Sequence, residues 1–406
     1  MTMLQLLRTH PRYLTYGFLH FFFSSVGQTF FISLFVVSVT ARMGWQEGTF
    51  AALYSGATLA AAFTLPSIGA LVDRLRVRYV STTVAVLLVL ACLGIAYTAN
   101  VYLFVIALFV VRLGGQGVMT LIGSTVTGRY FNEGRGKALS AAILGISLAE
   151  VTIPSLAVYV MGQYGYGPVW TGMAVLLLIV FVPAVWLLIG RYDNFQRGDT
   201  VAEEQAKADP AQANLASWTR GEVLRDRRFQ LLIPVFIMLP FVFTGLVFNQ
   251  SVIAELRGYT AELMAIGLST YGASRVVFLL GAGGLSDKYG PGRLLPLAYG
   301  PLLAGLVCLL LIKGSASVPI FFALGGMTAG VESVLMPALW AERYGPRFLG
   351  SIKSTVRLLV VLASAAAPIV FNYGFRLGLE TWLGVLVVYG VVCLVLLWVE
   401  RRGQLF

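Results

Sequence analysis

Five charged side chains fall well inside long apolar runs of this 406-residue chain: Arg112, Glu150, Arg275, Glu332 and Arg357. A charge at the centre of a hydrocarbon layer costs at least about 2.5–3.5 kcal/mol, so each needs a partner or a wet cavity. Two kinds of chemistry are open to them. A guanidinium can take a carboxylate through two parallel hydrogen bonds. A buried carboxyl group can hold or release a proton, because burial and a facing cation pull its ionisation in opposite directions. Arg112 and Glu150 fall at similar depth in successive runs, as do Glu332 and Arg357, so two ion pairs are expected. Arg275, twelve residues before Asp287, is then the guanidinium left over and the main candidate anion receptor, with Arg357 as a second. Backbone carbonyls, Tyr271 one turn away, or Glu332 are the structural alternatives for Arg275. The Arg112–Glu150 pair reads either as a fixed bridge or as a proton relay. Glu150, Glu332 and Arg112 are therefore the candidate proton-coupling residues.

Uncharged polar groups share helical faces near these charges. His20, Ser24 and Gln28 follow at i, i+4 and i+8, Tyr54 and Thr58 at i and i+4, and Asn249 with Gln250 interrupts an apolar run. Gln28, Tyr54, Asn249, Gln250, Tyr271 and His20 are candidate solute ligands, and each equally fits an interhelical hydrogen bond. His20 is either a cavity residue that titrates near neutral pH or a buried neutral imidazole.

The elements that must position these groups are set by composition. Hydrophobic residues make up 58% of the chain and charged residues 12%, against about 25% charge in a soluble domain. So much apolar surface needs a bilayer as its solvent. Apolar runs long enough to cross one lie near 14–40, 49–72, 79–99, 101–127, 138–163, 168–190, 230–254, 261–286, 293–312, 317–340, 350–373 and 381–399. Their period is helical, without the alternation of a membrane barrel. An all-α membrane protein of twelve spans is expected. Residues 1–190 and 230–406 would form two six-helix bundles. The polar stretch 191–229 would be a cytoplasmic linker, ending in a basic, surface-lying segment. The first run is too long for the core of a cleaved signal peptide. Cys92, Cys308 and Cys393 fall inside apolar runs and read as small core residues.

Of the 29 Lys and Arg residues, three lie within spans, and Arg42, Arg257, Lys313 and Arg376 fall in the loops of one side. The rest fall on the side of the two termini, which the positive-inside rule makes cytoplasmic. The net charge of +11 is thereby a topology signal and no sign of nucleic acid.

The two halves repeat. "GALVDRLRVR", Gly69 to Arg78, returns 214 residues later as "GGLSDKYGPGR", Gly283 to Arg293, and "RYFNEGRG", Arg129 to Gly136, corresponds to "RYGPRFLG", Arg343 to Gly350. Internal repetition of six-span halves is a plan of secondary transporters. Asp73, Arg74, Asp287 and Lys288 would then sit at span ends, where a charge contact can latch two rocking halves in one state and release them in the other. These four are the candidate gating residues.

Gly69, Leu71, Asp73, Arg74 and Arg78 resemble the loop 2–3 signature of the major facilitator superfamily, with Arg76 where the family has a second Gly. "RLGGQG", Arg112 to Gly117, resembles its span 4 signature. The resemblance covers nearly the whole chain and implies a major facilitator fold, a cavity lined by spans 1, 2, 7 and 8, and a monomer. "MGWQEGTFAALYS" and "GQYGYGPVW", with Tyr166 at the place of a second Trp, resemble the monocarboxylate transporter and oxalate:formate antiporter branch. That resemblance implies a small organic anion as solute, proton symport or anion exchange, and a substrate-binding cation in span 8, where Arg275 lies.

No GxSxG, HExxH or phosphate-cradling loop is present, and the charges are scattered at mid-depth, so an enzyme is not expected, nor a cofactor or metal. Three arginines against two glutamates inside spans favour an anionic solute. The rival reading is a proton-coupled drug or metabolite exporter of the same superfamily. The expected setting is a bacterial-type cytoplasmic membrane, with lipid, solute and protons as partners.

Overall fold

The structure is a computed structural model that describes residues 8–130, 135–189, 218–344 and 349–402. Among them there are helices and connecting turns and no strand. Eleven helices are long and apolar enough to cross a membrane, and the bent pair Pro11–Gly27 with Thr29–Met43 makes a twelfth span. Their outward faces carry large apolar side chains, such as Tyr102, Leu187 and Leu311, at 71–80% exposure. Such faces would be a liability in water and are what lipid requires.

Chain contacts divide the molecule into two compact units, Met1–Glu204 and Gln205–Phe406. The first holds spans 1 to 6, the second spans 7 to 12. Span 8 is Ala261–Tyr289, span 10 is Ser317–Tyr344 and span 11 is Leu349–Phe375. Most of the stretch expected to be a linker lies outside the described residues. Its described end contains a short helix, Arg220–Arg225, and the first residues of span 7, Arg227–Phe248.

Span 1 departs from the continuous helix expected over 14–40. It tightens into a 3-10 turn at Ser24–Gly27, becomes extended at Gln28 (φ −83°, ψ 152°) and restarts at Thr29, bending by 42°. The break lies at a backbone-to-backbone contact. A Cβ on Gly115 of span 4 would lie 2.6 Å from the amide nitrogen of Gly27. Span 4 is itself wound as a π-helix over Arg112–Met119, the kind of local insertion that gathers at functional sites. The neighbouring glycines serve the same packing, with Gly114 against Leu88 of span 3 and Gly117 beside Leu65 of span 2. Gly115→Ala is therefore expected to destabilise by about 1–3 kcal/mol, read as a lower melting temperature of the purified protein. An unchanged melting temperature would mean the two backbones can part freely.

The 214-residue repeat extends to the opposite ends of the spans. Gly44 and Gly258 both adopt left-handed backbone (φ 67° and 65°) and end the helices before them. The amide that follows each bonds back into the last turn, Trp45 to Thr40 at 2.9 Å and Tyr259 to Ala254 at 2.8 Å. A Cβ would strain both positions, which is why Gly closes these helices. Arg42 then donates to the carbonyls of Ala96 and Tyr97 and to the Tyr166 hydroxyl. Arg257 donates to Leu309 and Ile312 and pairs with Glu380 at 3.0 Å. In each unit an arginine thus satisfies the otherwise unpaired last carbonyls of a neighbouring helix.

Candidate functional site

The second unit contains a cavity of about 580 Å³. Span 7 contributes Leu239, Pro240 and Phe243, span 8 Tyr271 and Arg275, span 10 Glu332, Ser333 and Trp340, and span 11 Lys353 and Arg357. Helical spacing explains these sets. Tyr271 and Arg275 are one turn apart, as are Lys353 and Arg357, so each pair shares a face. Phe243 and Tyr271 stack at 4.1 Å between ring centroids and form an apolar wall beside the charges.

Three cations and one carboxylate face this space. Glu332 accepts a hydrogen bond of 2.9 Å from the Tyr299 hydroxyl of span 9 and lines the same cavity as Arg275. A tyrosine that the expected Glu332–Arg357 pair left out thus engages the Glu332 carboxylate. Spans 8 and 10 pack closely along their length, and the carbonyl oxygen of Arg275 itself lies against Gly330. Arg357 stands at the cavity with Lys353, a residue that sequence reasoning counted only as a charge at the inner end of span 11. Its i, i+4 spacing to Arg357 is the signal that was available.

The first unit treats its buried charge differently. Arg112 is 1% exposed. Its Nη1 donates to the carbonyl of Gly27 at 2.6 Å and its Nε to Thr58 Oγ1 at 2.8 Å, and the guanidinium lies 4.7 Å from the centroid of the Tyr54 ring. Its hydrogen bonds therefore go to the broken backbone of span 1 and to span 2, and the expected pair with Glu150 is not formed. Glu150 is buried as well. Tyr54 is fully buried beneath Arg112, and its hydroxyl shares a 2.6 Å hydrogen bond with Thr29.

The remaining candidates are dispersed. His20 is fully buried. Its Nδ1 lies 2.8 Å from the Tyr16 carbonyl and its Nε2 2.9 Å from Ser81 Oγ, the buried imidazole of the two readings. Gln28 is half-buried at the break of span 1. Asn249 interrupts span 7, and its amide returns to the Gly245 carbonyl at 2.8 Å. Gln250 is buried among apolar side chains such as Leu246 and Phe322. Neither lines the larger cavity. Asp73, Arg74 and Asp287 lie at the ends of span helices, with side chains outside the described ones, and Lys288 is exposed. Half of "RYFNEGRG" (131–134) and half of "RYGPRFLG" (345–348) lie outside the described residues too.

Twelve apolar helices in two six-span units, with a charged cavity among the spans of one unit, define an integral membrane protein of transporter architecture. The chain belongs to the Major Facilitator Superfamily, which matches residues 17–368. No curated protein matches the sequence. Among solved structures, the chain is similar to a crystal structure of a mutant of the nucleoside transporter NupG. The TM-score is 0.68 and the identity 14%, over 97% of this chain and 99% of that one. At that identity the likeness concerns the fold.

Proposed function

We propose that this protein is a secondary transporter of a small organic anion, a mono- or dicarboxylate, working by alternating access with proton symport or anion exchange. One observation carries the reading: among the described residues that line it, the cavity gathers Arg275, Lys353 and Arg357 with one carboxylate, that of Glu332. A carboxylate solute balances that excess, and an arginine fork orients it. An organic cation would add to the excess. Coupling follows from the same group. A carboxylate arriving at Arg275 competes with Glu332 for the guanidinium, and a proton taken up by Glu332 relieves the competition. Glu332 is therefore the better-placed coupling residue, and the monocarboxylate and oxalate:formate branch is the nearest in chemistry. A cytoplasmic membrane with both termini on the cytoplasmic side completes the reading, on the strength of the Lys and Arg distribution.

The test is thermal stabilisation of the purified protein by a panel of monocarboxylates, dicarboxylates, organic cations and nucleosides. A carboxylate at a hundred times its Kd should stabilise by about 2.7 kcal/mol. Stabilisation by lipophilic cations alone would bring the exporter reading forward, and stabilisation by nucleosides alone would make the solute neutral.

A further inference from the structure

We propose that residues 218–228, at the end of span 7, form a docking surface for the headgroups of anionic phospholipids. Four arginines, Arg220, Arg225, Arg227 and Arg228, are exposed there. The two acids among them are both engaged in ending helices. Glu222 accepts from the Thr219 amide and hydroxyl at 2.6 and 2.8 Å, which holds its carboxyl below the usual range. Asp226 caps span 7 by accepting from the Arg228 amide at 3.0 Å and takes a second hydrogen bond from the Tyr344 hydroxyl at 2.7 Å. Among the described residues of this segment the outward charge is therefore mainly arginine.

The segment is also held against its unit. Val223 is 2% exposed and roots the short helix in the unit. The Trp218 amide donates to the Tyr344 carbonyl at 3.0 Å, and the two rings meet edge to face at 5.7 Å. Even so, Trp218 and Leu224 each keep 39% of their surface exposed. Exposed Trp and Leu beside arginines are the composition of a membrane-interface segment. Span 7 begins at Arg227, and the separate short helix that joins it at Asp226 is about 9 Å long, so its arginines stay within about 10 Å of the end of the span. That distance is close to one Debye length of an anionic surface. Charge and depth together fit a phosphodiester headgroup.

The experiment uses the full chain in nanodiscs of phosphatidylcholine alone and of phosphatidylcholine mixed with phosphatidylglycerol, with amide exchange of residues 218–228 as readout. Phosphatidylglycerol should slow exchange in this segment, and glycerol 3-phosphate added to phosphatidylcholine discs should not. Replacing the four arginines by Gln should weaken the apparent affinity by on the order of fivefold per arginine, while replacing them by Lys should keep most of it. Should the fourfold Gln variant fail to fold, Arg220→Gln with Arg225→Gln on the exposed short helix should still lose about half of the effect on a logarithmic scale. Equal exchange in the two lipids would overturn the proposal. So would protection that survives the Gln changes, or protection by glycerol 3-phosphate alone, which would make this a soluble-phosphate site.

Discussion

Arg275→Gln is expected to weaken carboxylate binding by about 2–5 kcal/mol, roughly thirtyfold to several thousandfold in Kd. The change removes the fork that would receive the solute and also a cation that lines the cavity with Glu332. Those two losses must be separated. The double variant Arg275→Gln with Glu332→Gln leaves no uncompensated acid in the cavity, so it should recover melting temperature without recovering carboxylate affinity. Arg275→Lys should keep the charge and lose the bidentate geometry, falling between wild type and Gln. Lys353→Gln should cost less, because an exposed ammonium is a hydrated point charge and not a fixed fork. Calorimetric titration with the carboxylate that best stabilises the wild type gives all four values. Wild-type affinity in Arg275→Gln would remove this residue as the receptor and leave the neighbouring pair on span 11 to explain the anion.

The second large effect is expected at Arg112, and it is one of stability. Arg112→Ala strands the Gly27 carbonyl and removes the donor to Thr58 Oγ1, two oxygens that now accept from the guanidinium at 2.6 and 2.8 Å, and leaves the Thr58 hydroxyl only its own bond to the Tyr54 carbonyl. A hydrogen bond to a charged group contributes about 1.5–3 kcal/mol, and the loss of two should lower stability by about 3 kcal/mol or more. Arg112→Lys reaches one acceptor at a time and should lose about half as much. The effect would appear as a lower melting temperature and as faster amide exchange around Gln28, where span 1 is already broken. A proton relay at this position would behave differently: Arg112→Lys would melt like the wild type while transport changed its dependence on pH. The geometry favours the clamp. The break in span 1 exposes a carbonyl, the contact between Gly27 and Gly115 brings span 4 close enough, and Arg112 begins the π-wound stretch that carries Gly115.

Much of this molecule was decided by local and periodic properties of the chain. Runs of about twenty apolar residues had to be membrane helices, since only a helix satisfies its own backbone in lipid. The 214-residue repeat required two units of one plan, and it reappears in the paired left-handed Gly44 and Gly258 with the arginines beside them. Charges inside apolar runs had to be exceptional, because their insertion cost must be met by something. Arg275, Glu332 and Arg357 were identifiable for that reason, and Arg112 as well.

What met the cost was a matter of tertiary structure. Depth along a span can be read from the sequence, but rotation about its axis and the identity of its neighbours cannot. Equal depth made Arg112 with Glu150 and Glu332 with Arg357 plausible pairs. Packing turned Arg112 toward the broken backbone of span 1 and gave Glu332 the Tyr299 hydroxyl. Lys353 stands near a span end, where a lysine is ordinarily a topology signal. Only the face that span 11 presents brought it to the cavity. His20, one turn from Ser24 and two from Gln28, had the spacing of a ligand, yet the packing of Tyr16 and Ser81 closed both of its nitrogens. The sequence by itself determined which groups needed partners. The fold chose the partners, because hydrogen bonds and ion pairs act over a few ångströms and sequence spacing says nothing of which distant helices come that near.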